Sequence, residues 1–268
     1  MTTNSRRGFA KTLGMTGVGV GAFLANTKKA DAAIMDSDIL QFALNLEYLE
    51  AEFYTYASSG MSISQMGVSI TGQGNAGATT GGQQVSFFAN STLQQTISQI
   101  AADERAHVTL LQTALTGLGV MPIAKPAINL NALMTGFQSQ EAFLGLARAF
   151  EDVGVSAYGG AAPLIQSSAI LATAARILAT EAEHSGNLRL HCALYQAATV
   201  ALDGADSLPP PSGTKYISTN ASGLTAVRTP GQVLYIAYGL AANVTSGGFF
   251  PNGVNGTINM SSAAATSN

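Results

Sequence analysis

Along the chain, apolar positions recur at helical spacing in four long stretches, separated by segments rich in glycine, proline and small polar residues. Asp38 to Ser58 has few helix breakers and predicts a first helix. A second is predicted from Asn90 to about Leu118, where Leu93, Ile97, Ile100 and Leu111 share one stripe with Glu104 and His107. A third is predicted near Ser139–Gln166. A fourth, from Ser168 to Leu202, starts on Ser167 or Ser168 as N-cap and carries the stripe Ile170, Ala174, Ile177, Glu181, His184 and Leu188. Between the first two lies a charge-free Gly/Ser/Thr/Gln connection, residues 60–89, expected to be polar, flexible and surface-exposed. A connection with Pro122 and Pro126 follows the second helix. Pro209-Pro210-Pro211 closes the helical region, and the Gly/Asn/Ser/Thr-rich remainder holds one short helix beginning at Thr229-Pro230. The pattern predicts an all-α protein: a four-helix bundle over residues 33–205, with a long first inter-helix connection, and a C-terminal extension over 206–268 that packs on or near it.

The first residues do not fit that pattern. Ser5-Arg6-Arg7-Gly8-Phe9-Ala10-Lys11 precedes a mild, glycine-rich apolar stretch from Thr12 to about Thr27, then Ala30-Asp31-Ala32. The stretch is shorter than the about 20 strongly apolar residues of a spanning helix, and Gly14, Gly17, Gly19 and Gly21 weaken it further. Residues 1–32 are therefore expected to be an export signal, cleaved after Ala32 at an A-x-A site so that Ala33 begins the mature chain. The segment resembles the twin-arginine translocation signal and departs from its Ser/Thr-Arg-Arg-x-Phe-Leu-Lys pattern only at Ala10. That resemblance implies the twin-arginine translocase as a partner, passage in a folded and often cofactor-loaded form, and a periplasmic or extracellular location.

Charge is scarce, which makes its placement informative. Only 10% of residues are charged against 47% hydrophobic, the mean hydropathy is +0.23 and the net charge is −3. No basic run exists beyond the first thirty residues, so nothing draws a phosphate backbone and nucleic acid is not expected as a partner. A single cysteine, Cys192, excludes an internal disulfide, a CxxC redox pair and a zinc knuckle. Without residues 1–32 the chain keeps seven Lys/Arg against fourteen Asp/Glu. Nine of those fourteen acids fall in four clusters, one per helix: Glu47, Glu50 and Glu52; Asp103 and Glu104; Glu151 and Asp152; Glu181 and Glu183.

Two of the three histidines extend two clusters into Glu104-x-x-His107 and Glu181-x-x-His184, and positions i and i+3 share a helix face. Here that face is the apolar stripe. An ionised carboxylate in such a seam costs several kcal/mol unless paired, and seven basic residues cannot be assumed to pair every acid. Two divalent cations would balance four core carboxylates. Spacing brings the clusters to one level. At about 1.5 Å per residue, Glu151 and Glu181 lie at similar distances from the turn near Ser167, and Glu47 and Glu104 at similar distances from the helix ends expected at Gly60 and Asn90.

One Glu from each of two helices and a Glu-x-x-His from each of two others is the ligand set of di-iron and di-manganese carboxylate bundles. Over residues 36–202 the chain resembles the ferritin-like superfamily. Glu47 and Glu151 are each followed seven residues later by a tyrosine, Tyr54 and Tyr158, a spacing similar to the first helix of bacterioferritins and rubrerythrins. On that likeness Glu47, rather than Glu50, is taken as the ligand. Leu44-Asn45-Leu46-Glu47-Tyr48-Leu49-Glu50-Ala51-Glu52-Phe53-Tyr54 and the segment Gly247 to Gly256 resemble signatures of an exported branch that includes plant desiccation-related and fungal stress-response proteins. The resemblance implies two divalent metal ions, iron first and manganese second, on Glu47, Glu104, His107, Glu151, Glu181 and His184. Glu50, Tyr54, Asp103 and Tyr158 are expected around those ligands. His191 is read as a core or hydrogen-bonded histidine, and Cys192 as a small buried hydrophobe.

Two functions are compatible with these features. The first is an exported metalloprotein whose dinuclear site oxidises ferrous iron or disposes of peroxide or dioxygen; its ligand set also resembles that of manganese catalases. The alternative is a non-catalytic envelope or stress-protection protein with a structural or vestigial metal site. A homo-oligomer is compatible with both, whereas a closed storage cage is disfavoured by the long connection and tail.

Overall fold

The computed structural model describes residues 34–87, 91–133 and 136–266. The expected export signal, the Ala33 terminus and Asn90 lie outside them. Helix α1 spans Asp36–Ser59 and starts where the Asp38 carboxylate accepts the Met35 N–H at 2.9 Å. It stops at Gly60, whose φ of 75° only glycine adopts readily. Helices α2 (Thr92–Gly117), α3 (Gln140–Ala161) and α4 (Ser168–Leu194) begin alike: Ser91, Ser139 and Ser167 accept the N–H groups of Gln94, Ala142 and Ile170. A short 3-10 turn, Ala162–Leu164, joins α3 to α4. Helix α5 (Pro230–Ala237) opens with Thr229 and Gln232 capping each other's backbone and Pro230 in the first turn. Helix α1 packs chiefly on α2, and α3 on α4. This is the expected helical bundle with a short helix in the tail. None of the described helices is long and apolar enough to cross a membrane.

Two expectations need correction. Helix α4 ends at Leu194, not Leu202. Gln196 takes a φ of 54°, and the Ala197 N–H closes the turn onto the Cys192 carbonyl at 2.9 Å. The chain then crosses α3 at Gly145, where a Cβ would stand 2.6 Å from the Ala198 carbonyl oxygen. Residues 60–87 are mostly exposed, as expected, but they pack closely instead of forming a loose loop. Strand β1 (Thr79–Thr80) pairs in parallel with β2 (Ile128–Asn129), and Ile63 and Val85 are buried. Gly72 and Gly77 lie so close to the second connection that a Cβ would stand 2.2 Å from the Pro122 oxygen and 2.4 Å from the Ala127 nitrogen. Buried Lys125 donates to the Gly77 carbonyl and the Thr79 hydroxyl, both at 2.9 Å. Glycine here serves close packing.

The tail reaches the bundle through Asn255. Its backbone and the Asn45 side chain of α1 exchange hydrogen bonds of 2.8 and 3.0 Å, while its own amide bonds the Asn75 and Ala124 carbonyls. Phe249 and Phe250 enter the same core as α1 and α3. Arg228 ties the approach to α5 down, reaching Asp203 at 2.6 Å and the Ser156 hydroxyl of α3 at 2.9 Å.

Candidate metal centre

The apolar stripes of α2 and α4 turn inward, so the polar residues that interrupt them are buried with them. Glu104, Glu151 and Glu181 are 0% exposed, Glu47 1%, His107 7% and His184 6%. Each helix contributes at the same level. His107 Nδ1 lies 3.3 Å from Glu47, 3.4 Å from Glu104 and 3.2 Å from Glu181. His184 Nδ1 lies 3.1 Å from Glu104 and 3.4 Å from Glu151. The ligand-type atoms form two overlapping groups, each within 4.8 Å: Glu47, Glu104, His107 and Glu181, and Glu104, Glu151, Glu181 and His184. Glu104 and Glu181 belong to both.

The fit to metal rests on polar atoms left without partners. Glu47 Oε2, both oxygens of Glu104, Glu151 and Glu181, and the Nδ1 atoms of His107 and His184 are buried and accept or donate no hydrogen bond. Such orphaned groups are rare in folded proteins. Among the described residues, the Lys and Arg ion pairs go elsewhere: Lys125 to Glu52, Arg148 to Asp152 and Asp206, Arg189 to Asp152, Arg228 to Asp203. The convergent atoms are carboxylate oxygens and imidazole nitrogens, donors suited to divalent metal ions.

Electrostatics without ions reflect this crowding. Burial, reinforced by the charge of Glu47, pushes Glu104 up to about 7. Glu181 and Glu50 are raised well above the usual carboxylate range by burial and by neighbouring glutamates. Glu47 goes the other way: burial opposes its charge, but the nearby His107 charge and the Tyr158 hydroxyl hold it low. Burial would likewise lower both imidazoles, yet the surrounding carboxylates raise His184 to about 12 and raise His107 too. Four helices have brought together acids that repel one another, a configuration cations relieve.

The residues expected around the ligands are found there in unequal roles. Asp103 Oδ2 lies 3.3 Å from His184 Nε2. The Tyr158 hydroxyl donates to Glu47 Oε1 at 2.5 Å. Tyr54 is buried beside Glu151 but donates to the Ala147 carbonyl at 3.4 Å. Glu50 lies outside both groups, next to Gly154, whose added Cβ would stand 3.2 Å from Glu50 and 3.1 Å from Glu181. Gly154 is a site residue that sequence reasoning passed over; its signal is a glycine inside a helix, three positions after Glu151. Glu52 accepts the Ile63 N–H, and Asp152 takes Arg189 and Ser185, both at 2.6 Å, so neither faces the centre. His191 is buried and stacks on Tyr195, and the Cys192 thiol is buried against the Leu144 carbonyl.

The chain is similar to ferritin-like catalase Nec2 of Nesocodon mauritianus, 22% identical over 271 residues that cover 83% of this chain and 84% of that protein. It is also similar to desiccation-related protein PCC13-62 of Craterostigma plantagineum, 28% identical over 189 residues that cover 64% of this chain and 57% of that one. With residues 35–194, all four bundle helices, matching the ferritin-like domain family, the chain belongs to that family.

Proposed function

We propose that the chain binds two divalent ions, iron in preference to manganese, and uses them to dispose of peroxide or dioxygen or to oxidise ferrous iron. The orphaned carboxylate oxygens and imidazole nitrogens carry this reading. Glu47 and His107 would hold one ion, Glu151 and His184 the other, and Glu104 and Glu181 both. A pair of redox-active ions supplies the two electrons that peroxide exchanges. The chain's own side chains do the rest. Asp103 orients His184 through its outer nitrogen, Tyr158 holds a proton against Glu47, and the buried surroundings keep bulk water out. A polar pocket of about 110 Å³ beside His184, lined by Gln99, Asp103, Thr180, Glu183 and Asn187, suits a small polar oxidant. The likeness to a protein named a catalase supports peroxide as the substrate.

Export through the twin-arginine translocase to the periplasm or the outside is part of the proposal and rests on Ser5 to Lys11 and the Ala30-Asp31-Ala32 site. The double change Arg6→Lys/Arg7→Lys should hold the precursor in the cytoplasm; unimpaired export overturns that part. The likeness to a desiccation-related protein supports the second reading, non-catalytic stress protection with a structural or vestigial site.

Metal analysis of the untagged protein, then peroxide consumption at an oxygen electrode, separates the two. The expected result is about two equivalents of iron or manganese per chain and peroxide-dependent oxygen release. Loaded protein inert towards peroxide, dioxygen and ferrous iron leaves the second reading. No metal after anaerobic reconstitution removes the centre itself.

A further inference from the structure

The bundle is filled differently on the two sides of the carboxylates. Towards the end of α1, Phe53 stacks on Phe143 with ring centres 4.7 Å apart, and Phe137 and Phe150 close in edge-on. Towards the start of α1 there is a cavity of about 200 Å³. Six alanines among the aliphatic residues and Phe42 that line it leave the space open: Ala43, Ala114, Ala157, Ala161, Ala169 and Ala174. A void this large forfeits packing that a fold ordinarily keeps.

Its polarity is one-sided. The walls are alkyl groups and the Phe42 ring, and the Thr173 hydroxyl among them is bonded to its own helix at the Ala169 carbonyl. Polar groups gather at the inner end, where Glu47, Glu50 and Tyr158 border the cavity. At the outer end, exposed Leu118 and Ala169 mark the mouth. An apolar cavity of about 150 Å³ stays dry and takes up benzene or xenon. The polar oxygens lie at the inner end: the Tyr158 proton is engaged by Glu47, and the Glu50 carboxyl borders the cavity. An anion would lose its hydration among apolar walls whose lining offers no Lys, Arg or His to meet it. A ligand that fits therefore brings an apolar body, no charge, and a single hydroxyl.

We propose that this cavity is a binding site for a neutral molecule with a short alkyl chain or single ring and one hydroxyl, its body among the alanines and its hydroxyl at the Glu47, Glu50 and Tyr158 end. The proposal goes beyond the metal reading and shares only Glu47 with it; the walls that hold the ligand's body are other side chains of the bundle.

The test titrates 1-hexanol and hexanoate into the full-length protein, metal-free and metal-loaded, by calorimetry, and locates xenon in crystals pressurised with it. The structure leads us to expect 1-hexanol binding in both forms, hexanoate at least tenfold weaker, and xenon among the alanines. Ala174→Phe should weaken 1-hexanol at least tenfold while helicity and metal content stay unchanged; if it does not fold, Ala114→Leu should weaken it by a smaller factor. Absence of both 1-hexanol and xenon from the wild-type cavity overturns the proposal. So does hexanoate binding as tightly as 1-hexanol, 1-hexanol binding unchanged by filling, or a chain of ordered waters in the cavity. A protein that takes up no metal but binds 1-hexanol defeats only the reading of the centre.

Discussion

The two halves of the centre are assembled from repeated parts and supported unequally. Glu47 and Tyr54 on α1 echo Glu151 and Tyr158 on α3, and the two Glu-x-x-His pairs echo each other on α2 and α4. Behind His184 stands Asp103, 3.3 Å from its outer nitrogen. The matching position before Glu181 is Thr180, whose hydroxyl bonds back to the Arg176 carbonyl at 3.2 Å. The tyrosines reverse the advantage. Glu47 receives Tyr158 at 2.5 Å, whereas Tyr54 goes to a backbone carbonyl and the Glu151 oxygens, one of them 3.4 Å from His184, accept no hydrogen bond. A repeat in sequence thus sets which groups face inward, while unrepeated neighbours decide how firmly each is held. One half has its imidazole oriented, the other its carboxylate.

Metal content breaks the comparison most forcefully. Glu104→Ala or Glu181→Ala should remove both ions, Glu47→Ala or Glu151→Ala about one, and Glu52→Ala none. Equal losses from all five, read by elemental analysis, would dismiss the shared roles of Glu104 and Glu181.

Acidity comes next. In the metal-free protein Glu104 rises from 4.5 to about 7, so the folded chain holds a proton there that the unfolded chain releases. Its contribution is whole below 4.5 and is lost as pH rises towards 7. Both histidines start from 6.5 and are also raised, so their contribution is lost only above that value. Glu47, lowered, contributes above 4.5 and loses that as pH falls. Stability should therefore decline with rising pH, by roughly 3–5 °C of Tm per unit for Glu104 alone. Metal loading should flatten the decline, and scanning calorimetry from pH 5 to 9 on both forms checks it; a metal-free Tm that climbs with pH contradicts the crowded-carboxylate picture.

Asp103→Asn sharpens the asymmetry. Loss of an outer partner to a ligating histidine lowers affinity by about 10–100-fold, and here only one ion should loosen. Competition with a chelator would resolve one weakened step and one unchanged; two equal shifts would place Asp103 outside the His184 half. The smallest effects belong to the tyrosines. Tyr158→Phe removes a hydrogen bond to a carboxylate and should destabilise by about 1.5–3 kcal/mol. Tyr54→Phe, losing a long bond to a carbonyl, should stay within about 0.5–1.5 kcal/mol in denaturant unfolding. The reverse order would show that Tyr54, not Tyr158, braces its glutamate.

What could be read from the sequence followed from periodicity. Glu104, His107, Glu181 and His184 stand out because each replaces an apolar residue in a seam that is otherwise continuous, and the serine caps and Gly60 give helix ends within a few residues. Glu47 against Glu50 was different: both sit on the inner side of α1, and only the resemblance separated them. In the structure Glu47 meets His107, and Glu50 borders the cavity. The end of α4 was hidden because the turn at Gln196 carries the chain over Gly145 of α3, a close approach between helices that periodicity does not show. The close packing of residues 60–87 was hidden for the same reason, since a glycine that admits a neighbouring backbone looks in sequence like one that bends freely. Asp152, adjacent to Glu151, joins Arg148 one turn earlier on α3 and Arg189 on α4 instead, and the second pairing exists only once the two helices are side by side.

The bond between Asn45 and Asn255 also bears on when the protein becomes itself. Asn45 lies two residues before Glu47, and its partner is 210 positions away. Contacts of such separation close late in folding and slowly. A chain still emerging from the ribosome can wind α1 and set it on α2, but it cannot latch the flank of Glu47 until Asn255 has been made. A chain cut before Asn255 would keep its four bundle helices and lack that latch.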